Sequence, residues 1–153
     1  MSAVNTENTE NLGNNVTKPP PAHRAVGQAL VAAYAIFALA AGARAVVQIL
    51  TKFDQAPVAY LLSLFSAAVY LVATLAFRRP GRAAFRVAVA ACLTELVGVL
   101  AVGTWTVLDP ELFADATVWS VFGQGYGYVP LVLPFLGLAW LRHIEPETRS
   151  DGS

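Results

Sequence analysis

Four long apolar runs divide this chain, and they constrain its fold more than any other feature of the sequence. They cover about residues 25–51, 57–77, 84–107 and 125–141, and most of the charged residues lie between them. A bilayer core about 30 Å thick needs roughly 20 apolar residues in helical form. Four such runs use most of the 153 residues. The sequence therefore predicts an all-α fold, a polytopic membrane protein built as a four-transmembrane-helix bundle.

Composition supports a membrane protein and argues against several other classes. Only 13% of the residues are charged and 56% are hydrophobic, whereas soluble domains carry about 25% charged residues. The net charge is zero, so no basic patch indicates a nucleic-acid partner. The single cysteine, Cys92, lies in an apolar run without a Cys/His cluster. We therefore expect no metal and no cofactor.

Two polar tails flank the predicted membrane domain, which covers residues 24–143. Residues 1–23 are rich in Asn, Thr and Pro, and such a segment cannot bury enough apolar surface to offset its ordering entropy. We predict that residues 1–23 and 144–153 are disordered.

The first apolar run has one alternative interpretation. Ala41-Gly42-Ala43 resembles a small-residue signal-peptidase site that follows an apolar stretch. However, the uncharged stretch over 25–43 is longer than a typical signal-peptide core, and the helical pattern continues past Arg44. These features favour a membrane span.

The distribution of Lys and Arg predicts the orientation. Cytoplasmic loops carry an excess of basic residues. The 78–86 loop holds four arginines, and both tails also carry bases, whereas the other two loops hold Lys52 and four acidic residues. An even number of spans places the basic segments on one side. We predict a multi-pass plasma-membrane protein with cytoplasmic N- and C-termini, in direct contact with the lipid bilayer.

The segment between the third and fourth runs mixes acidic and aromatic residues. An Asp109-Pro110 start predicts a short interfacial helix over 110–121. Aromatic rings prefer the membrane interface. The aromatic side chains form either an interfacial anchor or an outer-face binding surface for lipid, a quinone-like ring or a partner subunit; they are Trp119, Phe122, Tyr126 and Tyr128.

Glycines and prolines interrupt the beginning of the fourth run. Its strongly apolar part, 129–141, is too short to cross a bilayer alone. We therefore predict that the span begins near Gly125 or earlier. The sequence FGQGYGYVPLVLP predicts an irregular or kinked backbone there.

Two ionisable residues, Arg44 and Glu95, lie inside predicted spans. Either one alone costs roughly 2.5–3.5 kcal/mol at the centre of a membrane helix. Counting helical rise from the ends of their spans places them about 6 Å apart in depth. The sequence thus predicts an intramembrane Arg44–Glu95 pair. This pair has two interpretations: a structural ion pair that fixes helix register, or a charged lining of a path or pocket.

Several stretches of the sequence resemble a known group. TKFDQAPVAYLLSLFSAAVYLVAT, ELVGVLAVGTWTVLDP and ATVWSVFGQGYGYVPLVLPFLGLAWL resemble an uncharacterised family of small four-helix integral membrane proteins of actinobacteria. The resemblance covers about 26–141. It implies four spans and a plasma-membrane location, and it brings no catalytic residues.

Three classes of function remain open. No GxSxG, HExxH or phosphate-loop pattern is present, so we predict no catalytic residues and no enzyme; a lipid-directed membrane enzyme ranks last. The favoured class is an accessory or scaffold subunit of a larger membrane complex. The alternative is a small transporter, or a lipid- or solute-binding membrane protein, that uses Arg44 and Glu95. Four spans would then favour a homo-oligomer.

Overall fold

The computed structural model describes residues 22–150, with the side chains of all of them except 23 and 145–150. All regular structure in this part of the chain is helical. The four long helices are α1 (Ala22–Lys52), α2 (Pro57–Arg78), α3 (Arg82–Leu108) and α4 (Val129–Ser150). Short 3₁₀ segments lie at Phe53–Gln55, Pro110–Leu112 and Ser120–Tyr126. Residues 1–21 and 151–153 lie outside the described part, and with them most of the first predicted tail.

Three of the helices are long and apolar enough to cross a membrane, and the fourth qualifies only as part of a bent pair. The three are α1, α2 and α3. Ser120–Tyr126 and α4 pass the same test together, but they are bent by 96° at their junction. By length and composition, the described chain therefore has three to four candidate spans. This confirms the prediction of an all-helical chain with membrane-length apolar helices.

Local sequence explains where most helices begin and end. Pro57 occupies the first turn of α2, where a missing backbone N–H has no cost. The following turn contains Gly81 with φ 108°, a conformation that suits glycine. α3 begins one residue later.

The segment between α3 and α4 differs from the prediction. The predicted interfacial helix over 110–121 is wrong, because only Pro110–Leu112 forms a helical turn before Ser120. Thr117 and Ser120 explain the interruption. The Thr117 backbone N–H donates to Ser120 Oγ at 2.9 Å, and the Trp119 N–H donates to Thr117 Oγ1 at 3.2 Å. Such local side-chain bonds compete with helix formation.

The boundaries of α4 also differ from the prediction. The continuous helix begins at Val129, because Gly127 and Tyr128 adopt φ values of 63° and 60°, which an α-helix cannot contain. A span that begins near Gly125 or earlier exists only as the bent pair that starts at Ser120. At the other end α4 continues to Ser150. It therefore extends past 141 and through most of 144–153, the segment predicted to be a disordered tail.

The helices pack in chain order around an aromatic and alanine-rich core. α1 packs most extensively on α2, α2 packs on α3, and α3 packs on α4, whereas α1 and α4 share a smaller contact. Small side chains at these contacts let the helices approach closely. Buried examples are Ala41, Ala45, Ala67, Ala73 and Ala88.

The bundle has two ends that differ in chemistry. The Asp115 end contains the C-terminus of α1, the N-terminus of α2, the C-terminus of α3 and the 109–128 segment. The Arg78 end contains the N-terminus of α1, the turn between α2 and α3, and the C-terminal part of α4. The 3₁₀ segment Ser120–Tyr126 packs on α3 and α4 at the Asp115 end.

Candidate functional site

The Asp115 carboxylate is the centre of a polar cluster, which we call the Asp115 cluster. Its Oδ2 accepts hydrogen bonds from Gln48 Nε2 at 3.2 Å, Lys52 Nζ at 3.3 Å and Tyr60 Oη at 3.1 Å. Its Oδ1 accepts the Ala116 backbone N–H at 3.0 Å and lies 3.5 Å from Arg44 Nη2. One carboxylate therefore connects α1, α2 and the 109–128 segment.

Helical spacing explains why three of these side chains converge. Arg44, Gln48 and Lys52 are four residues apart along α1, so they share one face of the helix. Tyr60 comes from the first turn of α2, and the Lys52 ammonium lies 5.9 Å from the centre of its ring. The short connection between α1 and α2 brings these groups together.

Electrostatics stabilise the ionised form of Asp115. Partial burial by itself raises the pKa of the carboxyl group. Hydrogen bonds from Lys52 and Tyr60, the charge of Lys52 and the Ala116 N–H outweigh burial, and the pKa lies below its ordinary value. With its acceptor sites taken by donors, this carboxylate suits a structural role rather than proton transfer.

Arg44 belongs to the Asp115 cluster and makes no ion pair with Glu95. Besides Asp115, its guanidinium donates to the Ala116 carbonyl at 3.2 Å and to Tyr126 Oη at 3.4 Å. Its side chain is 37% exposed. The predicted Arg44–Glu95 pair is therefore wrong, because the loop supplies acceptors on the face of α1 that carries Arg44.

Glu95 lies in the core, with 0% of its surface exposed. Tyr34 Oη donates to its Oε2 at 2.7 Å and also lies 3.5 Å from Cys92 Sγ. The second carboxyl oxygen, Oε1, is buried and has no hydrogen-bond partner in the described residues. A buried polar atom without a partner is uncommon. Glu95 is thus a candidate site separate from Arg44.

The four aromatic residues predicted as an outer-face surface do not form one. Trp119 is only 1% exposed, and its Nε1 donates to Tyr70 Oη at 2.8 Å inside the bundle. Phe122 packs against Gly103, and Tyr126 lies 5.7 Å from the ring of Phe37. Of the four side chains, only that of Tyr128 is exposed, at 45%. Glycines on α3 leave room for these rings to enter the bundle.

A left-handed turn holds this segment in place. Val121, Phe122 and Gly123 have φ values of 48°, 59° and 82°. Such a conformation is costly for residues with a side chain, and strain of this kind clusters at functional sites. The turn is fixed by the Val121 N–H, which donates to Thr106 Oγ1 at 2.8 Å, and by Pro130, which packs against Gly123.

A surface cavity of about 460 Å³ lies between this turn and Arg44. Its lining combines apolar surface with the polar residues Arg44, Thr117, Ser120, Gln124 and Tyr126. Sequence reasoning did not find Asp115 as the residue that organises this region. The available signal was the polar stripe of α1, whose three members needed an acceptor from one of the neighbouring loops.

The described residues offer no arrangement for metal chemistry. Among the side chains that the structure describes, no group of three or more His, Cys, Asp or Glu residues is placed to hold a metal ion. Comparison with protein-family models, with curated proteins and with solved structures finds no match for this chain. Any functional proposal must therefore come from the geometry of the molecule itself.

Proposed function

We propose that this chain is a four-span plasma-membrane protein with cytoplasmic termini, of the actinobacterial type that its sequence resembles. It acts as an accessory or scaffold subunit of a larger membrane complex and performs no catalysis of its own. The apolar length of α1, α2 and α3 supports membrane insertion. The arginines at the Arg78 end support the orientation.

The observation that carries this proposal is the filled interior of the bundle. Trp119 and Tyr60 fill the Asp115 end, and Tyr34 and Tyr70 lie deeper in the bundle, all almost fully buried. Four cavities of the described chain lie at the two ends of the bundle and between helices at its periphery. A protein whose accessible surfaces are peripheral suits a role in binding other membrane components.

Among the three membrane-length helices, α1 has the least buried apolar stretch and so offers the broadest surface for such a contact. In its most apolar stretch, 28% of the residues are buried, compared with 50% in α2 and 39% in α3. Its exposed side includes Ile36, Leu39, Val47 and Leu50. In a bilayer, this face is covered either by lipid or by another protein. We assign it to a partner subunit.

The test is purification of the tagged full-length chain in a mild detergent, followed by measurement of the mass of the complex. We expect a stoichiometric larger partner that is lost in Leu39→Arg and retained in the matched variant Leu71→Arg on α2, which is also exposed. A chain that is inserted in the membrane, but purifies only as a monomer or a homo-oligomer, would refute the accessory role.

A second candidate is a small transporter or solute-binding protein. Two observations favour it: the 96° break before α4 and the unpartnered Oε1 of buried Glu95. Discontinuous helices line transport sites, and buried acids carry protons or ions. In proteoliposomes with an imposed potential, we expect proton flux that is abolished in Glu95→Gln and unchanged in Glu111→Gln. Absence of flux in the unmodified protein would exclude proton transport.

A further inference from the structure

The Arg78 end presents exposed arginine side chains beside apolar grooves. Arg78 is the last residue of α2 and Arg79 follows it, and both are exposed. Arg24 in the first turn of α1 lies at the same end. None of the three makes an ion pair with any side chain that the structure describes. Three guanidinium groups are therefore available to an anion at this end.

Two grooves flank an aromatic wall made by Phe77 and Trp140, whose ring centres are 5.7 Å apart. The first groove, about 460 Å³, lies between α1 and α4 and has Arg24 and Arg78 in its lining. The second, about 380 Å³, lies on the other side of the wall and has Arg78 and Arg79 in its lining. Arg78 therefore borders both grooves.

The rest of each lining is mainly apolar. Val31 and Ala32 contribute to the first groove, whereas Phe85, Leu141 and Ile144 contribute to the second. Among the side chains that the structure describes, no acidic one lines either groove. Each groove thus combines a cationic mouth with a hydrocarbon-like wall.

We propose that this end of the bundle binds one anionic phospholipid. Its phosphate pairs with Arg78, supported by Arg24 and Arg79, and its two acyl chains occupy the two grooves on either side of the Phe77–Trp140 wall. Guanidinium groups match phosphate oxygens in a bidentate geometry. Basic pockets between membrane helices on the cytoplasmic side recognise acidic lipid headgroups. The inference rests on the membrane placement proposed above.

Two other arginines provide controls that distinguish a specific lipid site from a general attraction of basic loops to acidic membranes. Arg82 and Arg86 lie at the same end of the bundle and are also exposed, but neither lines either of these two grooves. General attraction predicts that removing any of these charges weakens lipid binding to a similar degree. A specific site predicts a large effect at Arg78 and a small one at Arg86.

The test uses the purified full-length chain in detergent, with phosphatidylglycerol as the probe and phosphatidylcholine as the neutral comparison. Native mass spectrometry counts the bound lipid, and thermal unfolding follows its stabilising effect. We expect one retained phosphatidylglycerol molecule. Its affinity should fall roughly tenfold or more in Arg78→Gln and change less than about twofold in Arg86→Gln.

A second pair of variants tests the acyl chains without changing any charge. Ala32 lines the first groove, whereas Ala29 is an exposed residue of α1 that lines neither groove. Ala32→Trp should block the groove and release the lipid, and Ala29→Trp should retain it. Glycerol phosphate, which has the headgroup chemistry without acyl chains, should not compete for the site at equal concentration.

Three results would overturn the inference: equal binding of the two lipids, equal losses in Arg78→Gln and Arg86→Gln, or full competition by glycerol phosphate. If the proposed membrane placement is wrong, the chain will be absent from the membrane fraction, which is a different result from a missing lipid preference. A membrane-inserted chain without lipid preference contradicts only the lipid site.

Discussion

At the scale of single residues, Asp115 connects elements that are otherwise held together mainly by apolar contacts. Because a hydrogen bond to a charged group contributes about 1.5–3 kcal/mol, and the Asp115 side chain is 27% exposed, we expect Asp115→Asn to cost about 1–2 kcal/mol. Thermal unfolding in detergent should shift downward by about 2–4 °C per kcal/mol. The matched control, Glu111→Gln, changes an exposed acid of the same loop and should have little effect.

The same carboxylate makes stability depend on pH. Its pKa is lower in the folded protein than in the unfolded chain. The stabilisation is therefore complete above the unfolded-state pKa, about 3.9, and is lost as the pH falls through the lower folded-state value. Unfolding curves from about pH 7 to about pH 3 should show a smaller acid-induced loss in Asp115→Asn than in the unmodified protein. Identical losses would show that other groups dominate.

Gly98 permits Trp119 to enter the bundle. A Cβ atom at Gly98 would lie 2.5 Å from Trp119 Cζ3, and the hydrogen bond to Tyr70 prevents the ring from yielding. We expect Gly98→Ala to destabilise the protein by about 1–2 kcal/mol, because overpacking of about 1–3 kcal/mol exceeds the gain in helix propensity of about 1 kcal/mol.

Gly42→Ala is the matched control for Gly98→Ala. The nearest atom to its added Cβ is the Cβ of Ala67 at 3.7 Å, so this substitution should be neutral or slightly stabilising in thermal unfolding. Adding Trp119→Leu should remove most of the cost of Gly98→Ala, because the conflicting ring atoms are then gone. Additive effects of the two substitutions would contradict the proposed contact.

At the scale of elements, the left-handed turn stores strain at Val121. A β-branched residue at φ 48° costs about 1–3 kcal/mol, whereas glycine adds an entropic cost of about 0.5–1 kcal/mol. We expect Val121→Gly to stabilise the protein by about 0.5–1 kcal/mol in chemical or thermal unfolding. Val97→Gly, at an exposed position in the interior of helix α3, should destabilise the protein instead. Equal destabilisation in both variants would show that the turn is not strained.

The sequence predicted continuous helices well and this turn poorly. α2 is an uninterrupted apolar run with proline at its start and an arginine-proline-glycine turn after it, so its limits follow from local rules. The 113–128 segment follows tertiary contacts instead. Trp119 is buried because Gly98 makes space on another helix, and no spacing within the loop reveals this.

The Arg44–Glu95 prediction failed for a geometric reason. Helical rise gives depth, but pairing also requires matching rotation about the helix axis. The residue of α1 that contacts Glu95 is Tyr34, ten positions before Arg44. At about 100° and 1.5 Å per residue, the two differ by about 80° in rotation and about 15 Å in height. The acceptor of Arg44 came from a loop whose path could not be predicted.

At the scale of the whole molecule, the number of spans depends on the bent pair formed by Ser120–Tyr126 and α4. If this pair crosses the membrane, the C-terminal end of α4 lies on the same side as the α2–α3 turn. A pair that entered and returned would instead end beside the Asp115 cluster, whereas the structure packs Leu141 and Ile144 of α4 in the same groove as Arg78. The arginine distribution favours the first arrangement, because Arg142 then joins the other basic residues.

Cysteine labelling in intact cells distinguishes the two arrangements. Cys92 is buried, and Cys92→Ala provides a background free of thiols. On this background we expect a membrane-impermeant maleimide to label Glu111→Cys in intact cells, and to label Arg82→Cys only after permeabilisation. The Arg142→Cys variant distinguishes four spans from three. Arg142 is exposed, so with four spans its cysteine should be labelled only after permeabilisation, as in Arg82→Cys. Labelling of Arg142→Cys in intact cells would instead leave three spans, and the groove beside Arg78 would then lose α4 as its second wall.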